Sequence, residues 1–504
     1  MPSPVHPRFV PPPYQDAADT GRLILRDGST AQIRPAKPSD AALLDQFFRE
    51  LSVESRYRRF SSASVPGPDV IARLACANDP RSEYTLLVTR LVGDELRIVA
   101  TGSYLARDSR SAEVAFAVAD DFHGKGLGTL LLERLAVLAV HNGFTRFWAV
   151  TAADNTQMLT VFRESGFDVR EEFGRGGVEV GLDVAPTETS VARGELRDRI
   201  ATVASLRPFF NPNSVAVVGA SRDPASIGCR VLVGMVQAGF KGPIYPVNPK
   251  ATEIAGLKAY PSVKACPGPV DLAVIVVPAA AVPGVVDDCA ARGVRSLVMI
   301  TAGFAETGAA GIALQKSLLE KVRGHGMRVV GPNCLGLLNA DSSVRLNASF
   351  SPVFPPPGRI AMSSQSGAVG LAVLEAAGRY GLGFSTFVSV GNKADVSGND
   401  LLQYWEEDPN TDVILLYLES FGNPRRFARI ARRVGRHKPV VVLQSGLTRA
   451  GGRAAGSHTA ALATNATAVE ALFRQTGVIR AGTLEEMFDL AMMLGSQPLP
   501  RGSR

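Results

Sequence analysis

Two glycine-bearing turns in this 504-residue chain have residue types and spacings that could cradle a phosphate. The first, "FHGKGLGTLLLERL" (122–135), places Gly124, Gly126 and Gly128 just ahead of a leucine-rich helix. The second, "SVAVVGASRDPASIG" (214–228), places Gly219 at the end of a short apolar strand. Glycine lets a backbone approach an anion closely, and a helix N-terminus offers unpaired N–H groups. Three chemistries compete for "HGKGLG". A P-loop needs GxxxxGK[ST], and no serine or threonine follows a Gly-Lys pair in the required place. A dinucleotide site needs GxGxxG with an acidic residue about 20 positions on, and that spacing fails. The pyrophosphate arm of an acyl-CoA needs a strand, a glycine turn and a helix N-terminus. The stretch "AEVAFAVADDFHGKGLGTLLLERLAVLAVHNG" supplies all three in order. Glycines serving only the turn's geometry are the blander reading, weakened by glycine on every second position.

Composition narrows the partners. With 46% hydrophobic and 20% charged residues the chain reads as soluble and globular, long enough for about three domains. Its net charge is +7, and only ten of its 54 basic residues are lysine. The densest basic stretch, "NPRRFARIARRVGRHKP" (423–439), puts Phe427, Ile430 and Val434 on one helical face and its arginines on the other. No aromatics interleave with those charges, which argues against a nucleic-acid surface. The most apolar run, "LAVIVVPAAAVPGVV" (272–286), is interrupted by Pro278 and Pro283 and is too short for a bilayer. Five widely spaced cysteines, no CxxC pair and no signal peptide point to a reducing, cytoplasmic setting. No acidic metal-holding motif is legible.

The pass along the chain predicts an α/β multidomain protein. Residues 1–21 are a proline-rich, disordered tail. Residues 22–183 mix strands and helices: "LILRDGSTAQIRPA" reads as a hairpin, "SDAALLDQFFREL" as a capped helix, and "EVAFAVAD" as an alternating strand. A polar linker, helical in its middle, covers 184–208. Repeated βα units follow over 209–340, in which "SVAVVGA", "PIYPVN", "DLAVIVVP" and "SLVMITAG" read as strands of a parallel sheet covered on both faces. A second linker (341–357) leads to another βα series over 358–497. Residues 498–504 read as a linker cut short.

Residues 22–183 resemble a GCN5-related N-acetyltransferase (GNAT), an α+β fold. The family signature is Gln/Arg-x-x-Gly-x-Gly/Ala, and His123, Gly126 and Gly128 occupy its places, with histidine a departure at the first. The resemblance implies an acetyl-CoA site made by Phe116, Ala117, Val118, His123, Gly124, Lys125, Gly126, Leu127, Gly128 and Thr129. It adds Asn155 from the second segment, "NTQMLTVFRESGF". Acetyl transfer to an amine needs a neutral nucleophile, whereas a free lysine is only ~0.1% neutral near pH 7.4, a handicap of roughly 4 kcal/mol. Glu113, sharing a strand face with Ala115 and Ala117, is the candidate general base, because lysine acetyltransferases of the bacterial Pat kind carry a glutamate at this place. Phe162 stands where many relatives have a tyrosine acid, so the leaving thiolate takes its proton from elsewhere. The acceptor implied is a protein lysine, that of an AMP-forming acyl-CoA synthetase.

Residues 209 to about 495 resemble the NDP-forming acyl-CoA synthetases of the succinyl-CoA synthetase superfamily: a Rossmann-like CoA-binding domain, then a flavodoxin-like domain. The matching motifs are "VVPA", "ITAGFAE", "GPNCLGLLN", "SSQSGAVG", "VGNKADV", "LLYLES" and "GSHTAALAT". CoA is expected at Gly219, Ala220, Ser221, Asn248, Lys250, Val277, Pro278 and Asn333. Lys250 stands where an NAD site would present an acidic residue to the ribose, and it suits a phosphorylated ribose. His458 and Glu419 fall on the superfamily's phosphohistidine and its supporting glutamate. No segment resembles the superfamily's ATP-grasp domain. A homo-oligomer and a separate ATP-grasp subunit both stay open. On residues alone, acetyl-CoA-dependent lysine acetylation with a CoA-binding regulatory region ranks first. A ligase with an accessory acetyltransferase domain ranks second, and a non-catalytic acyl-CoA sensor third.

Overall fold

In the computed structural model, which describes residues 18–174, 177–445 and 466–498, the chain folds as two units: the first runs to Ala201 and includes Arg323–Gly326, and the second takes the rest from Thr202. Strands of the first are β1 (Gly21–Ile24), β2 (Thr30–Pro35), β3 (Asn78–Asp79), β4 (Glu83–Val92), β5 (Glu95–Ala106), β6 (Ser111–Val118), β7 (Arg146–Thr151), β8 (Asp168–Gly174) and β9 (Gly177–Asp183). They form one sheet in the order β1-β2-β4-β5-β6-β7-β9-β8, with β3 against β4. Its helices are α1 (Ala41–Glu50), α2 (Val53–Phe60), α3 (Pro68–Cys76), α4 (Leu127–His141) and α5 (Thr156–Glu164). In α4, Leu127, Leu131 and Leu135 recur at helical spacing and are all buried, which seats the helix on β5 and β6.

One pair of strands departs from the antiparallel rule. β6 and β7 run parallel, and they pair only from Ser111 to Glu113 against Arg146 to Trp148. Beyond Glu113, β6 stays hydrogen-bonded to β5 as far as Val118, while β7 stays with β9 as far as Thr151. The two strands therefore part, and Glu113 is the last residue joined before the split.

The segment expected as a linker helical in its middle, 184–208, holds a helix longer than that: α6 runs Glu188–Phe210. Its polar residues form ties that its composition does not reveal. Arg193 and Arg197 donate to the carbonyls of Arg163, Glu164 and Ser165, and Arg197 also pairs with buried Glu133. At its other end Phe209 and Phe210 are buried in the core of the second unit.

That unit starts with β10 (Val215–Val218), α7 (Ile227–Ala238), β11 (Ile244–Val247), the short pair β12 (Glu253–Ile254) and β13 (Leu257–Lys258), β14 (Leu272–Ile275), α8 (Val282–Ala291), β15 (Ser296–Met299), α9 (Ala309–Gly324) and β16 (Arg328–Val330). Its main strands make a parallel sheet in the order β11-β10-β14-β15-β16, buried on both faces as their apolar runs require. Next come β17 (Gly336–Asn339), β18 (Leu346–Ser349), β19 (Pro357–Ser364), α10 (Gly367–Tyr380), β20 (Phe384–Ser389), α11 (Gly398–Glu407), β21 (Val413–Leu418), α12 (Pro424–Val434), β22 (Val440–Gln444), α13 (Ala466–Thr476), β23 (Ile479–Ala481) and α14 (Leu484–Ser496). These strands are ordered β18-β17-β20-β19-β21-β22-β23. The expected linker 341–357 thus contains β18, antiparallel to β17, and β17 itself is antiparallel to β20. Residues 336–339, expected in the preceding domain, belong to this second sheet, because "GLLN" and "LNAS" bury every residue there. In α12 Phe427, Ile430 and Val434 are buried, as the periodicity requires. No described helix is long and apolar enough to cross a membrane. The cysteines are free. The proline-rich tail before residue 18 and the last residues after 498 lie outside the described residues.

Arg328, at the start of β16, is fully buried and pairs with buried Asp395 at 2.6 Å and Asp400 at 3.4 Å, while donating to Ser205 at 2.8 Å. Burial works against its charge, yet the two carboxylates outweigh it and raise the guanidinium above its ordinary pKa. Breaking a buried pair strands the remaining charge. Asp395→Ala should therefore lower the unfolding free energy by about 3–5 kcal/mol in urea titrations. A change under about 1 kcal/mol would mean the cluster is solvated in practice.

Candidate functional sites

The parting of β6 and β7 opens a cleft of about 440 Å³. One wall is Val114 to Val118 of β6, the other Ala149 to Thr151 of β7, and α5 closes it with Asn155 to Met158 and Thr160 to Phe162. At its mouth the turn 123–126 takes the backbone through positive φ at Gly124 (75°) and Gly126 (86°), which residues with a Cβ rarely adopt. Gly126 is the N-cap of α4, so the first amides of that helix, at Leu127, Gly128 and Thr129, border the cleft. His123 donates from Nε2 to Val118 O at 3.0 Å, staying beside the cleft as a brace between turn and strand. Asn155 caps α5 by accepting from Met158 N and bonds Thr151 Oγ1 at 3.0 Å, which holds α5 to β7. Asp120 accepts from Ser52 N, Ser52 Oγ and Ser55 Oγ at 2.7–2.9 Å and so fixes α2 beside the turn.

The expected residues thus gather around one opening, with two exceptions. Lys125 does not line the cleft; it pairs with Asp27 at 3.7 Å, and its Nζ lies 4.4 Å from the Phe122 ring centroid. Glu113 is exposed at the apex of the split, outside the lining itself. Phe162 is buried, its ring centroid 6.5 Å from that of Phe116. Free strand edges, a glycine turn and a helix N-terminus suit a pantetheine amide chain leading to a pyrophosphate.

In the second unit, Gly219 turns the chain at φ 91°, and a Cβ there would lie 2.5 Å from Val276 O. α7, capped by Ser226, starts against the same turn, since a Cβ at Gly228 in its first turn would collide with Gly219 O. Asn248 donates to Ala220 O at 2.8 Å and accepts from Lys250 N at 2.8 Å, which joins the turns after β10 and β11. Ser221, Val277 and Pro278 follow the ends of β10 and β14, so this set collects at the carboxyl end of the sheet. Asn333, after β16 with φ 55°, donates to Asn392 at 3.3 Å. Asn392 in turn donates to Glu306, whose carboxylate also accepts from Gly303 N and Phe304 N. Burial opposes ionisation of Glu306, but these donors prevail and hold its pKa below the ordinary carboxylate range. Beside them Lys393 Nζ donates to Ser420 O at 2.9 Å and Ser420 Oγ at 2.8 Å, next to Glu419. Burial pushes the Lys393 amine down to about 8 against the pull of the Glu419 carboxylate. Gln365 clasps the same turn, accepting from Glu419 N and Ser420 N. His458 lies outside the described residues.

Family models match the acetyltransferase (GNAT) family over residues 47–167, a CoA binding domain over 213–340, and a succinyl-CoA ligase like flavodoxin domain over 357–494. The chain joins a GNAT domain to CoA-binding and succinyl-CoA ligase-like domains. Acetate–CoA ligase [ADP-forming] I subunit alpha of Pyrococcus furiosus is 43% identical over 302 residues, 59% of this chain and 65% of that protein. Acetyltransferase Pat of Mycolicibacterium smegmatis is 32% identical over 179 residues, 35% of this chain and 52% of that protein. Among solved structures, the dinucleotide-forming acetyl-coenzyme A synthetase 1 of Ca. Korarchaeum cryptofilum, in complex with phosphate and ADP, superposes with a TM-score of 0.57 at 45% identity. That match covers 59% of this chain and 64% of that one. The chain spans less than two thirds of the length of each of these relatives.

Sequence reasoning missed several neighbours of these sites. Arg26, Ser55, Arg58 and Arg59 line the GNAT cleft from segments remote in sequence, and nothing in "VESRYRRF" distinguishes the last three from a solvated helix face. Glu306, Gln365 and Lys393 of the CoA-binding and ligase-like domains sit inside motifs that were legible, "ITAGFAE", "SSQSGAVG" and "VGNKADV". Only the fold shows that the last two meet at one turn.

Proposed function

We propose that the chain is the CoA-handling part of an ADP-forming acyl-CoA synthetase and that its GNAT domain is an accessory acetyl-CoA-dependent lysine acetyltransferase. The residues alone rank acetyl transfer first. The relatives reverse that order, since 43% identity to an acetate–CoA ligase subunit extends over 59% of the chain, against 32% over 35% for Pat. That identity, over domains holding the Gly219 turn and the Glu419 turn, carries the proposal. In this reading the CoA thiolate attacks the carbonyl of an acyl phosphate; the C–S bond forms, the C–O bond to phosphate breaks, and phosphate leaves. Gly219 to Ser221, Asn248 and Lys250 would hold the coenzyme. A nucleotide-binding partner, the separate ATP-grasp subunit that the superfamily resemblance leaves open, would supply the phosphoryl group.

The test is thioester formation from acetyl phosphate and CoA without nucleotide, followed as loss of free thiol. The chain should catalyse it, and ATP-driven synthesis from acetate should appear only when a separate nucleotide-binding subunit is added. No thioester from acetyl phosphate would sink the synthetase reading. ATP-driven synthesis by the chain alone would sink the need for a partner.

The second reading, acetyl transfer, is favoured by the formed cleft at the β6–β7 split. There the acceptor nitrogen attacks the thioester carbonyl as Glu113 takes its proton. The C–N bond forms, the C–S bond breaks, and the thiolate takes a proton from solvent.

A further inference from the structure

A carboxylate base next to a lysine ammonium creates an electrostatic problem: the negative charge stabilises the protonated amine, the form that cannot attack. The GNAT cleft contains a group that answers it. Arg59, at the C-terminal end of α2, lines the cleft, and its Nη2 donates to Ser103 Oγ at 3.2 Å. Ser103 lies opposite Ala115 in the β5–β6 ladder, two residue pairs from the Leu105–Glu113 pair and so on the same face. α2 packs across β6 there, and the guanidinium rests 4.9 Å from the Phe60 ring centroid. Burial pushes the Arg59 pKa down to about 10 while the Glu113 carboxylate pulls it up, so the side chain stays cationic at neutral pH and feels Glu113 directly.

We infer that Arg59 activates the acceptor amine: its positive charge beside Glu113 cancels the carboxylate's hold on the ammonium, so that the nitrogen is delivered unprotonated. The inference rests on the acetyl-transfer reading of this cleft. Like charge at close range lowers an amine's pKa, as in lysine nucleophiles set beside a second cation. Arg26 and Arg58 also line the cleft, and several charged groups on the packed elements have partners of their own. Glu54 pairs with Arg58, and Arg56 donates to the carbonyls of Leu51 and Ala63. Arg107 lies 4.1 Å from the Trp148 ring centroid, and Arg146 pairs with Asp183. Asp120 is held by Ser52 and Ser55, and His123 by Val118 O.

The experiment is the pH profile of kcat, at saturating amine and acetyl-CoA, for acetyl transfer from acetyl-CoA to Nα-acetyl-lysine amide, with acetyl-CoA affinity measured by calorimetry in parallel. In Arg59→Gln the alkaline rise should move up by about one pH unit, a roughly tenfold loss at pH 7.5, with acetyl-CoA affinity unchanged. Arg59→Lys, which keeps the charge, should return the profile to within a few tenths of a unit. A uniform loss at every pH, with the rise in its original place, would reduce Arg59 to a structural role and overturn the inference alone. A shifted profile that Arg59→Lys fails to restore would also overturn it. If the unsubstituted chain transfers acetyl to no amine, the acetyl-transfer reading falls and the inference falls with it.

Discussion

Glu113→Gln lowers kcat for lysine acetylation by about 10²- to 10⁴-fold and leaves acetyl-CoA affinity close to that of the unsubstituted chain. The expected split follows from where the residue stands. Glu113 is the last position at which β6 is hydrogen-bonded to β7, so it marks the apex of the cleft. It does not belong to the cleft lining, and the coenzyme's amide and phosphate contacts would fall on Val114 to Thr129 instead. Glutamine keeps the shape and the ladder while removing only the proton acceptor. Steady-state kinetics against a lysine peptide, with calorimetric titration of acetyl-CoA, separate the two quantities. An unchanged kcat would move the base to another group. An unchanged kcat together with weakened coenzyme binding would place Glu113 in the binding site.

The second large effect belongs to the ligase-like domain. Incubated with acetyl phosphate labelled with phosphorus-32, the chain takes up acid-labile label, and His458→Ala takes up none. The step is balanced without a nucleotide: an imidazole nitrogen attacks phosphorus, the P–O bond to acetate breaks, and acetate leaves with the electron pair. Glu419, to which the superfamily resemblance gives the supporting role, stands on a turn whose Glu419 and Ser420 amides donate to Gln365. Lys393, anchored on Ser420, adds positive charge beside it. Acetyl transfer by the GNAT domain should persist in His458→Ala, because that chemistry uses none of these groups. Label surviving the substitution would remove the phosphohistidine from this chain and leave the histidine a bystander.

Some of this was legible residue by residue. The turns at Gly124–Gly128 and Gly219 announce themselves because glycine at closely spaced positions before a helix has few other uses. The βα units after Ser214 were equally plain, since strands covered on both faces are uniformly apolar and short. Boundaries were harder. The stretch around α6 reads as a polar linker, whereas Arg193 and Arg197 cap carbonyls at the end of α5 and just beyond it. "GLLN" reads as the end of one sheet, yet its partners are β18 and β20 of the next. Strand pairing is non-local, and no period within four residues reports it.

The sequence by itself determined the three kinds of domain, the order in which they occur, and the coenzyme they handle. Those properties reside in local runs, namely a glycine turn, a helix start and a strand period, each encoded within about ten residues. Only the tertiary structure decided that β6 and β7 separate at Glu113, that Arg59 reaches across to share its field, and that Lys393, Gln365 and Glu419 meet at one turn. The physical reason is that charge coupling and cleft shape depend on distances through space. Such distances are set by packing whole elements together, and neighbouring residues in the chain carry no record of them.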